Sequence, residues 1–480
     1  EHSKSETFYN ISIGKGDEIA AFTLSYDWTS SVVLSRARYF YGADAGEWIP
    51  VVSFPSGGGD PVYDDLDERF MYLAMTRSVS FKSPDGGDSF EKGKNVTRYN
   101  VSLGKGEEIA AYSVSYDWDD QEIERTVSEF AYGSDNQDFN YVGLEEELAD
   151  GMADLAMSRT TTERADTRED ISDSYYDVSR GKGSEILNVT ESYTGRGGVT
   201  TYHYYTKTGA EYTTARATDA NVTVSSALQR TEAYGETSGS SPVDPALTLE
   251  GLTSKTFFLG EKGIEVADYS ENYIQDAKEN DIIKSCSVYE YAVLDSGGNE
   301  TPMVLIDTVA SDRAAALTAT EKSVSRMVLS KTYAMRSRDD IFIELSPDTN
   351  RLINETYFKG NKGSEIADVS VAYKQNTDDK KSTTEYYYGH GPLGSVRAES
   401  ADYWDAMAKS ATFKGDHFYA STEESSLMSI TYYVGGKSEE IAKLTHNYKH
   451  KLVGEAAGAD RDDVKNTVLY YYDEDNAQGN

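Results

Sequence analysis

The sequence has almost no cysteine and little histidine. A single cysteine, Cys286, stands among 480 residues, so an internal disulfide and a cysteine-based zinc or iron–sulfur cluster are both excluded. The six histidines leave few candidates for acid–base catalysis. No stretch approaches 18 consecutive apolar residues, which predicts that no helix of the chain spans a membrane.

Positive charge is also scarce. The chain has 46 Lys and Arg against 82 Asp and Glu, which gives a net charge of −36. Because this charge repels phosphate backbones, we expect no nucleic-acid binding. A disordered chain is not expected either, since 37 Tyr, 15 Phe and 4 Trp are too many aromatic residues for a solvating tail. With 38% hydrophobic residues, the composition indicates thin, repeated cores with large polar surfaces.

A five-position phrase recurs six times in register. It consists of Lys, then Glu three residues later, then Ile or Val, then Ser or Thr, then Tyr eight residues after the Glu. The Lys and Glu positions are Lys15 and Glu18, Lys105 and Glu108, Lys182 and Glu185, Lys262 and Glu265, Lys362 and Glu365, and Lys437 and Glu440. The Ser or Thr and Tyr positions are Thr23 and Tyr26, Ser113 and Tyr116, Thr190 and Tyr193, Ser270 and Tyr273, Ser370 and Tyr373, and Thr445 and Tyr448. Such a register indicates a tandem repeat.

Each phrase predicts a strand, a tight turn and a second strand. Glycines flank the Lys in the first two phrases, as in Gly104-Lys-Gly106, and glycine accepts the positive φ that tight hairpins need. The second strand alternates, with Ser113 and Ser115 between aromatic and aliphatic residues. Ile19 and Ile109 break this alternation, which indicates either a second covering layer or a bulge at the start of the strand.

A third strand ends in an aromatic cluster, such as Tyr39–Gly42 or Tyr386–Gly389, so each repeat is at least a three-stranded meander. We also expect strands at Ser78–Phe81 and Ser323–Tyr333, and short helical connectors at Leu144–Met157, Asp312–Ala319 and Ala401–Lys409. The predicted fold class is mainly β, with six tandem imperfect repeats of antiparallel β-meanders in an elongated array. A closed six-bladed propeller is the alternative.

The spacing of the phrase predicts six repeat units with fixed cores and variable loops. Their predicted bounds are 1–91, 92–170, 171–251 with a Gly/Ser/Pro spacer at 235–245, 252–350, 351–426 and an incomplete sixth unit at 427–480. The short last unit indicates either a slice of a longer array or completion by a neighbouring molecule. Both interpretations favour assembly.

The repeated Lys and Glu have two interpretations. A turn Lys beside a strand-edge Glu forms a weak ion pair of about 0.2–1 kcal/mol. The sharper alternative is a Lys–carboxyl or Lys–amide crosslink, as in some surface adhesins. The tyrosine clusters either fill thin cores and subunit contacts or stack on sugar rings.

Candidate metal and modification positions are few. His446 and His450 are four residues apart, but they lie on or just beyond a predicted strand. The acidic clusters at 117–120, 460–463 and 473–475 could hold Ca²⁺, but none has the regular spacing of a calcium loop. Solvated acidic loops are therefore the preferred interpretation, and no cofactor is expected. N-glycosylation sequons permit modification if the chain is exported, at Asn10, Asn95, Asn100, Asn188, Asn221, Asn299 and Asn354.

One short segment resembles a known family. The run Tyr470-Tyr-Tyr-Asp473, followed by Gly479-Asn480, resembles the YD repeats of bacterial Rhs-type secreted and wall-associated proteins. The resemblance covers the aromatic strand ends, and the period of 75–100 residues here is longer than the YD spacing. It implies no activity for this chain.

These observations predict a non-enzymatic structural subunit of a secreted or cell-surface assembly, such as an extracellular filament, a sheath or a surface layer. Its expected partners are copies of itself, joined through strand edges and tyrosine-rich faces, with glycans as a further possibility. The alternatives are a carbohydrate-binding surface adhesin, with tyrosines as sugar platforms, and a propeller with a binding or enzymatic mouth.

Overall fold

The computed structural model describes most of the chain in two compact units, Glu1–Glu265 and Val266–Asn480. The described residues are 5–12, 18–26, 33–43, 46–53, 61–64, 66, 68–82, 92–116, 123–135, 138–149, 151–194, 197–207, 210–235, 251–262, 265–275, 281–294, 300–304, 326–334, 351–360, 365–374, 377, 379–389, 395–401, 405–416, 427–435, 440–448 and 464–470. The spacer at 236–245 and the expected connector at 312–319 lie outside them.

The first unit is built almost entirely from strands. They are β1 Ser5–Asn10, β2 Ile19–Tyr26, β3 Val33–Gly42, β4 Ile49–Pro50, β5 Val52–Ser53, β6 Val62–Tyr63, β7 Ala74–Lys82, β8 Lys92–Asn100, β9 Ile109–Tyr116, β10 Glu124–Gly133, β11 Asn140–Tyr141, β12 Ala156–Arg164, β13 Asp170–Asp177, β14 Ile186–Thr194, β15 Gly197–Lys207, β16 Ala210–Arg216, β17 Leu228–Gly235 and β18 Leu252–Leu259.

The second unit has the same character. Its strands are β19 Val266–Gln275, β20 Asp281–Leu294, β21 Glu300–Val304, β22 Arg326–Ala334, β23 Arg351–Lys359, β24 Ile366–Tyr373, β25 Lys380–Tyr388, β26 Val396–Arg397, β27 Met407–Lys414, β28 Leu427–Val434, β29 Ile441–Tyr448 and β30 Val464–Leu469. The described residues of the two units also contain short 3-10 helices at Glu68–Met71, Met152–Asp154 and Ala398–Ser400.

The long strands of each unit form an antiparallel meander. In the first unit the pairing runs β1–β2–β3–β7–β8–β9–β10–β12–β13–β14–β15–β17–β18. In the second it runs β19–β20–β22–β23–β24–β25–β27–β28–β29–β30. Every pair is antiparallel, so the mainly-β prediction of antiparallel meanders is confirmed. The expected strands at Ser78–Phe81 and Ser323–Tyr333 are β7 and β22, which supply a fourth strand after the three of the phrase.

In five of the six phrases, a short strand pairs with the end of the third strand. β3, β10, β15, β20 and β25 run on past the strand before them, and β4, β11, β16, β21 and β26 pair with these extensions. The connector then folds over the end of the sheet. In the described part of 144–157, the 3-10 helix Met152–Asp154 precedes β12, so the helical connector there is shorter than predicted. Residues 407–409 belong to β27, so the expected helix is wrong at those positions. Pairing to the third strand satisfies the connector's backbone better than a short isolated helix.

The connectors build small separate cores around the first apolar residue of the phrase. Ile19 and Ile109 are 2% and 3% exposed and pack with Tyr41 and Tyr132 of the third strands. Further clusters of this kind contain Ile186 with Tyr205, Val266 with Tyr291, and Ile366 with Tyr388. Ile19 and Ile109 therefore lie under a second layer. Both strands also have a bulge near their start, because Ala21 of β2 and Ala111 of β9 are skipped in the pairing with β1 and β8.

The Ser and Thr positions of the phrase form hydroxyl pairs across the ladder. Thr23 Oγ1 lies 2.9 Å from Thr7 Oγ1, and Ser370 Oγ lies 2.8 Å from Thr356 Oγ1. Comparable pairs involve Ser113 with Thr97, Ser270 with Tyr289, and Thr445 with Thr431, while Thr190 contacts the ring of His203. Such cross-strand pairs stabilise a sheet by about 0.2–1 kcal/mol each. None of the described helices is long and apolar enough to cross a membrane.

Candidate functional site

The glutamate of the phrase clamps the backbone of an earlier strand. The N–H of Met75, at the start of β7, donates to Glu108 Oε1 at 3.0 Å. The same bond joins Met157 to Glu185, Leu228 to Glu265, Met327 to Glu365, and Met407 to Glu440, at 2.9–3.1 Å. Glu108 and Glu185 also accept from the turn amides of Gly106 and Gly183 at 3.0 Å. The carboxylate thus fixes both its own turn and the strand that precedes the repeat.

The lysines of the phrase have varied surroundings. Lys182 Nζ donates to the carbonyl oxygen of Ala153, and Lys262 Nζ lies 5.9 Å from the centre of the Tyr205 ring. Lys105 is exposed, as is Glu18. Lys15, Lys362 and Lys437 lie outside the described residues. A Lys–Glu pair or crosslink therefore stays a prediction, whereas the contact with a backbone amide is what the glutamates have in common.

The tyrosine of the phrase donates to a carboxylate on its own side of the sheet. Tyr26 donates to Glu6 at 2.9 Å, Tyr116 to Glu124 at 3.3 Å, and Tyr193 to Asp173 at 2.9 Å. Tyr273 donates to Glu271, and Tyr373 donates to Glu355. Tyr448 lies on β29 opposite Val464. Burial and then the neighbouring carboxylate raise the pKa of Tyr193 and of Tyr373, so both stay protonated donors at neutral pH.

A second set of tyrosines anchors the third strand. Tyr41 OH donates to the carbonyl oxygen of Ala20 at 2.8 Å, and Tyr132 OH to that of Ala110 at 2.9 Å. Tyr205, Tyr291 and Tyr388 make the corresponding bonds to Leu187, Ala267 and Ala367. Each of these rings follows a shift in register of the third strand. The aromatic clusters seen in the sequence are thus partly core and partly backbone anchors.

Two of the candidate glycosylation positions are engaged in structural hydrogen bonds. Asn10 and Asn100 are each 1% exposed, and their Nδ2 atoms donate to carbonyl oxygens of the connector. A glycan on either atom would replace those bonds. Asn188 is buried, Asn95 and Asn354 are partly buried, Asn221 is exposed, and Asn299 lies outside the described residues.

Cations at the start of the fourth strand stack on aromatic rings of the third strand or of the connector that follows it. Arg159 lies 5.8 Å from the Phe139 ring, Arg230 lies 4.4 Å from Tyr204, and Lys409 lies 4.6 Å from Tyr387. Arg159 is also bound in a fork by Asp173, with distances of 3.0 and 2.7 Å. Arg230 pairs with Glu232 at 3.1 Å. These stacked arginines are therefore neutralised by a neighbouring carboxylate.

Arg77 occupies the position of Arg159 but has a different neighbour. Arg77 lies two residues after Met75, and Arg159 lies two residues after Met157. The N–H of each methionine donates to a phrase glutamate. Arg77 stands directly opposite Arg98 on β8, where a second guanidinium takes the place of the Tyr175 ring that faces Arg159. Two residues before Arg98, β8 carries Val96, whereas two residues before Tyr175, β13 carries Asp173. Arg77 and Arg98 form no ion pair among the described residues, and Nε of Arg77 is buried without a hydrogen bond.

Trp48 holds the two guanidiniums together. The centre of its indole ring lies 4.8 Å from the guanidinium carbon of Arg77 and 4.6 Å from that of Arg98. Arg77 also lies 5.3 Å from the Phe40 ring, and Arg98 5.9 Å from the Tyr112 ring. Burial and then the charge of Arg98 lower the pKa of Arg77 below its ordinary value. The aromatic rings thus offset part of the repulsion between two like charges.

A cleft of about 280 Å³ opens beside Arg98. Tyr112, Tyr116, Glu124, Glu129 and Arg168 also line it. Arg168 is already bound by Glu129 at 3.0 Å and by Glu163 at 2.9 Å. Burial and then the charge of Glu124 raise the pKa of Tyr116, whereas the charges of Arg98 and Arg77 lower it. The Tyr116 hydroxyl therefore lies within electrostatic reach of both guanidiniums. We call Arg77, Arg98, Trp48 and this lining the cationic cleft.

Sequence reasoning missed this cleft. The signal was present in the matching segments Leu73–Ser78 and Leu155–Thr160, LAMTRS and LAMSRT, which mark the fourth strand and its arginine. Whether that arginine meets a carboxylate depends on cross-strand register, which the segments do not contain. Among the described residues, no group of three or more His, Cys, Asp or Glu side chains is placed to hold a metal ion. His450 and the acidic clusters at 117–120, 460–463 and 473–475 lie outside the described residues.

Comparisons with known proteins return only distant likenesses. No protein-family model and no curated protein matches the chain. Among solved structures, a porin-like protein from Bacteroides uniformis is 9% identical with a TM-score of 0.19, over 62% of this chain and 93% of that one. The TcdB2-TccC3-TEV structure is 10% identical with a TM-score of 0.14, over 94% of this chain and 20% of that one. The TcdB2-TccC3 structure is 9% identical with a TM-score of 0.16, over 93% and 22%.

Proposed function

We propose that this protein is a structural subunit of a secreted or cell-surface assembly, such as an extracellular filament, a sheath or a surface layer. The observation that carries the proposal is the recurring glutamate clamp, which joins five earlier strands to the turn of the following phrase. The tyrosine anchors and hydroxyl pairs recur in the same way. A side chain that recurs in five of the six phrases and bonds to its own sheet each time serves a scaffold rather than one reaction centre.

Each of the two meanders has one edge strand with a single partner, and these edges offer a route to assembly. Among the described residues, β1 pairs only with β2, and β30 pairs only with β29. Val468, Leu469 and Tyr470 are exposed at the β30 edge, where Leu469 is 53% exposed. An unpaired strand edge with apolar side chains is a template for a strand of another molecule. In this proposal, a second copy of the chain pairs there.

Negative-stain electron microscopy tests the proposal. The native protein is imaged before and after removal of salt and divalent ions, since screening permits acidic chains to associate. Regular fibres, tubes or sheets are the expected result. Uniform single particles under every condition would contradict the proposal.

A matched pair of variants tests the strand edge itself. Leu469→Asp places a charge on β30, and we expect it to abolish the assemblies because an edge charge opposes pairing. Ile353→Asp adds the same charge at an exposed position of β23, both edges of which are paired, and should leave the assemblies intact. Equal assembly by the two variants would exclude the β30 edge as the contact.

A further inference from the structure

The cationic cleft has a charge arrangement that differs from the one at the equivalent position of Arg159. At the equivalent position, Arg159 is neutralised by Asp173, which is 2% exposed. Arg77 instead stands opposite Arg98, and the aliphatic Val96 occupies the strand position that corresponds to Asp173. Two buried or half-buried like charges side by side are unfavourable unless an anion joins them. The comparison of two equivalent positions therefore identifies a missing carboxylate.

We propose that the cationic cleft binds an acidic sugar, a saccharide ring that carries a carboxylate. The carboxylate lies against Arg98, with Arg77 beside it, and takes the place that Asp173 has at Arg159. A planar guanidinium binds a carboxylate through two parallel hydrogen bonds, which gives both strength and direction. Both guanidiniums lie against the indole ring of Trp48, which orders their side chains before the ligand arrives.

The remaining lining suits the sugar ring and its hydroxyls. Tyr112 and Tyr116 supply aromatic rings with one apolar and one polar end, as sugar rings require. Glu124 and Glu129 present carboxylate oxygens that accept hydrogen bonds from hydroxyl groups. The volume of about 280 Å³ lies at the lower limit of small-molecule pockets, about 300 Å³, so the cleft holds one sugar unit.

The net charge of −36 does not prevent this binding. At physiological salt, charges beyond about 8 Å are largely screened, so the groups that line the cleft decide its local potential. Among these, Glu129 is paired with Arg168, and Glu124 accepts from Tyr116. Glu124 keeps its negative charge, but the positive groups at the cleft outnumber it: Arg98 lines the cleft, Arg77 stands opposite Arg98, and Lys94 Nζ lies 4.1 Å from the centre of the Tyr116 ring. The inference is independent of the assembly proposal, because no residue of the cleft lies on β1 or β30.

Isothermal titration with glucuronate tests the inference, with glucose, acetate and phosphate as comparison ligands. We expect glucuronate to bind with a Kd of about 1 mM, typical of a ligand this small. Glucose should bind at least about tenfold more weakly, because it leaves the arginines unpaired. Acetate and phosphate should also bind at least about tenfold more weakly, because they make no ring contacts. Acetate or phosphate as tight as glucuronate would overturn the sugar assignment, and no glucuronate binding would overturn the site.

Three variants locate the binding. Arg98→Gln should weaken glucuronate about tenfold, by loss of a charged hydrogen bond. Val96→Asp supplies Arg77 with the carboxylate that Arg159 has, and should weaken glucuronate equally while the thermal midpoint is kept. Lys374→Gln removes one positive charge from an exposed ion pair with Asp379 and should leave the affinity unchanged. Equal affinity in Arg98→Gln and wild type would overturn the assignment even if Val96→Asp does not fold.

Discussion

At the scale of single residues, the protein uses carboxylates to complete its backbone hydrogen bonding. Strand ends leave amide groups without ladder partners, and a buried amide without a partner costs free energy. The phrase glutamates accept from these amides, and the phrase tyrosines donate to other carboxylates of the sheet. Negative charge, abundant in this chain, is thus used as a hydrogen-bond acceptor rather than only for solubility.

Replacement of a clamp glutamate should destabilise the fold. In Glu185→Ala the amides of Met157 and Gly183 lose their acceptor, and we expect the free energy of unfolding to fall by about 1–3 kcal/mol. Urea denaturation measures the change. Glu145→Ala, at an exposed glutamate of a connector, is the matched control and should change stability by less than about 0.5 kcal/mol. Equal losses in both variants would show that the clamp contributes nothing specific.

His203 should make stability depend on pH. Burial, and then the charge of Arg216, lowers its pKa to about 4. An unfolded histidine has a pKa of about 6.5, so between these values the unfolded chain binds more protons than the folded chain. The free energy of unfolding should therefore fall as the pH falls from about 6.5 to about 4, by roughly 1–3 kcal/mol from this group.

The His203→Gln variant isolates that contribution from the many carboxylates that titrate in the same range. Urea midpoints of the wild type and the variant are measured at pH 7 and at pH 4.5. The wild type should lose more stability than the variant between these two values. Parallel pH profiles would contradict a neutral, buried His203.

At the scale of the element, the hairpin turn and the strand pattern agree. Gly104 and Gly106 have φ of +94° and +88°, and Gly181 and Gly183 have φ of +83° and +77°, as the glycine-bearing turn predicts. The amides of Gly104 and Gly181 donate to Val101 and Val178 at 2.9 Å. A strand that begins with such a turn has its register fixed at one end, and the glutamate clamp fixes the turn to the earlier strand.

The glycine requirement can be measured at Gly181. No heavy atom lies within 4 Å of the position a Cβ would take, so a substitution tests backbone conformation and not packing. Gly181→Ala should lower the free energy of unfolding by about 1 kcal/mol, because a positive φ is unfavourable for alanine. Gly181→Asn should cost less, since asparagine tolerates this region better. Urea denaturation distinguishes the two, and equal stability of Ala and Gly would contradict the assigned turn.

At the scale of the whole molecule, a large negative charge is combined with small, separate cores. The first core is formed by β2, β3 and their connector, and the cores around Ile109, Ile186, Val266 and Ile366 have the same plan. In each unit, the long strands pair with their neighbours along the chain, so stability is approximately a sum of local terms. Self-repulsion of the charge of −36 opposes all of these terms together.

Salt should therefore stabilise the protein. Raising NaCl from about 10 mM to about 500 mM shortens the Debye length from roughly 30 Å to a few ångströms and weakens the repulsion between carboxylates. We expect the thermal midpoint to rise by about 2–5 °C. Circular dichroism melts measure it, at a protein concentration low enough to prevent assembly. KCl should act like NaCl, and a midpoint that falls with salt would mean that ion pairs outweigh self-repulsion.

The sequence by itself determined the strands, the turns and the antiparallel class. These features depend on period-two alternation and on glycine, which are local properties of residues such as Ser113, Gly104 and Gly181. It also located the glutamates and tyrosines that carry the clamps. The helical connectors were predicted too long: the described part of 144–157 has only the 3-10 helix Met152–Asp154, and residues 407–409 belong to a strand. Pairing with the third strand, a tertiary contact, outweighed local preference.

Only the tertiary structure decided which groups these side chains meet. Glu185 contacts the amide of Met157, 28 residues earlier in the chain. Arg77 and Arg159 lie within near-identical segments, yet Arg77 stands opposite Arg98 whereas Arg159 binds Asp173. The difference arises because cross-strand register sets the neighbour. A one-residue change in register moves every side chain to the other face, so a local pattern cannot specify such a pair.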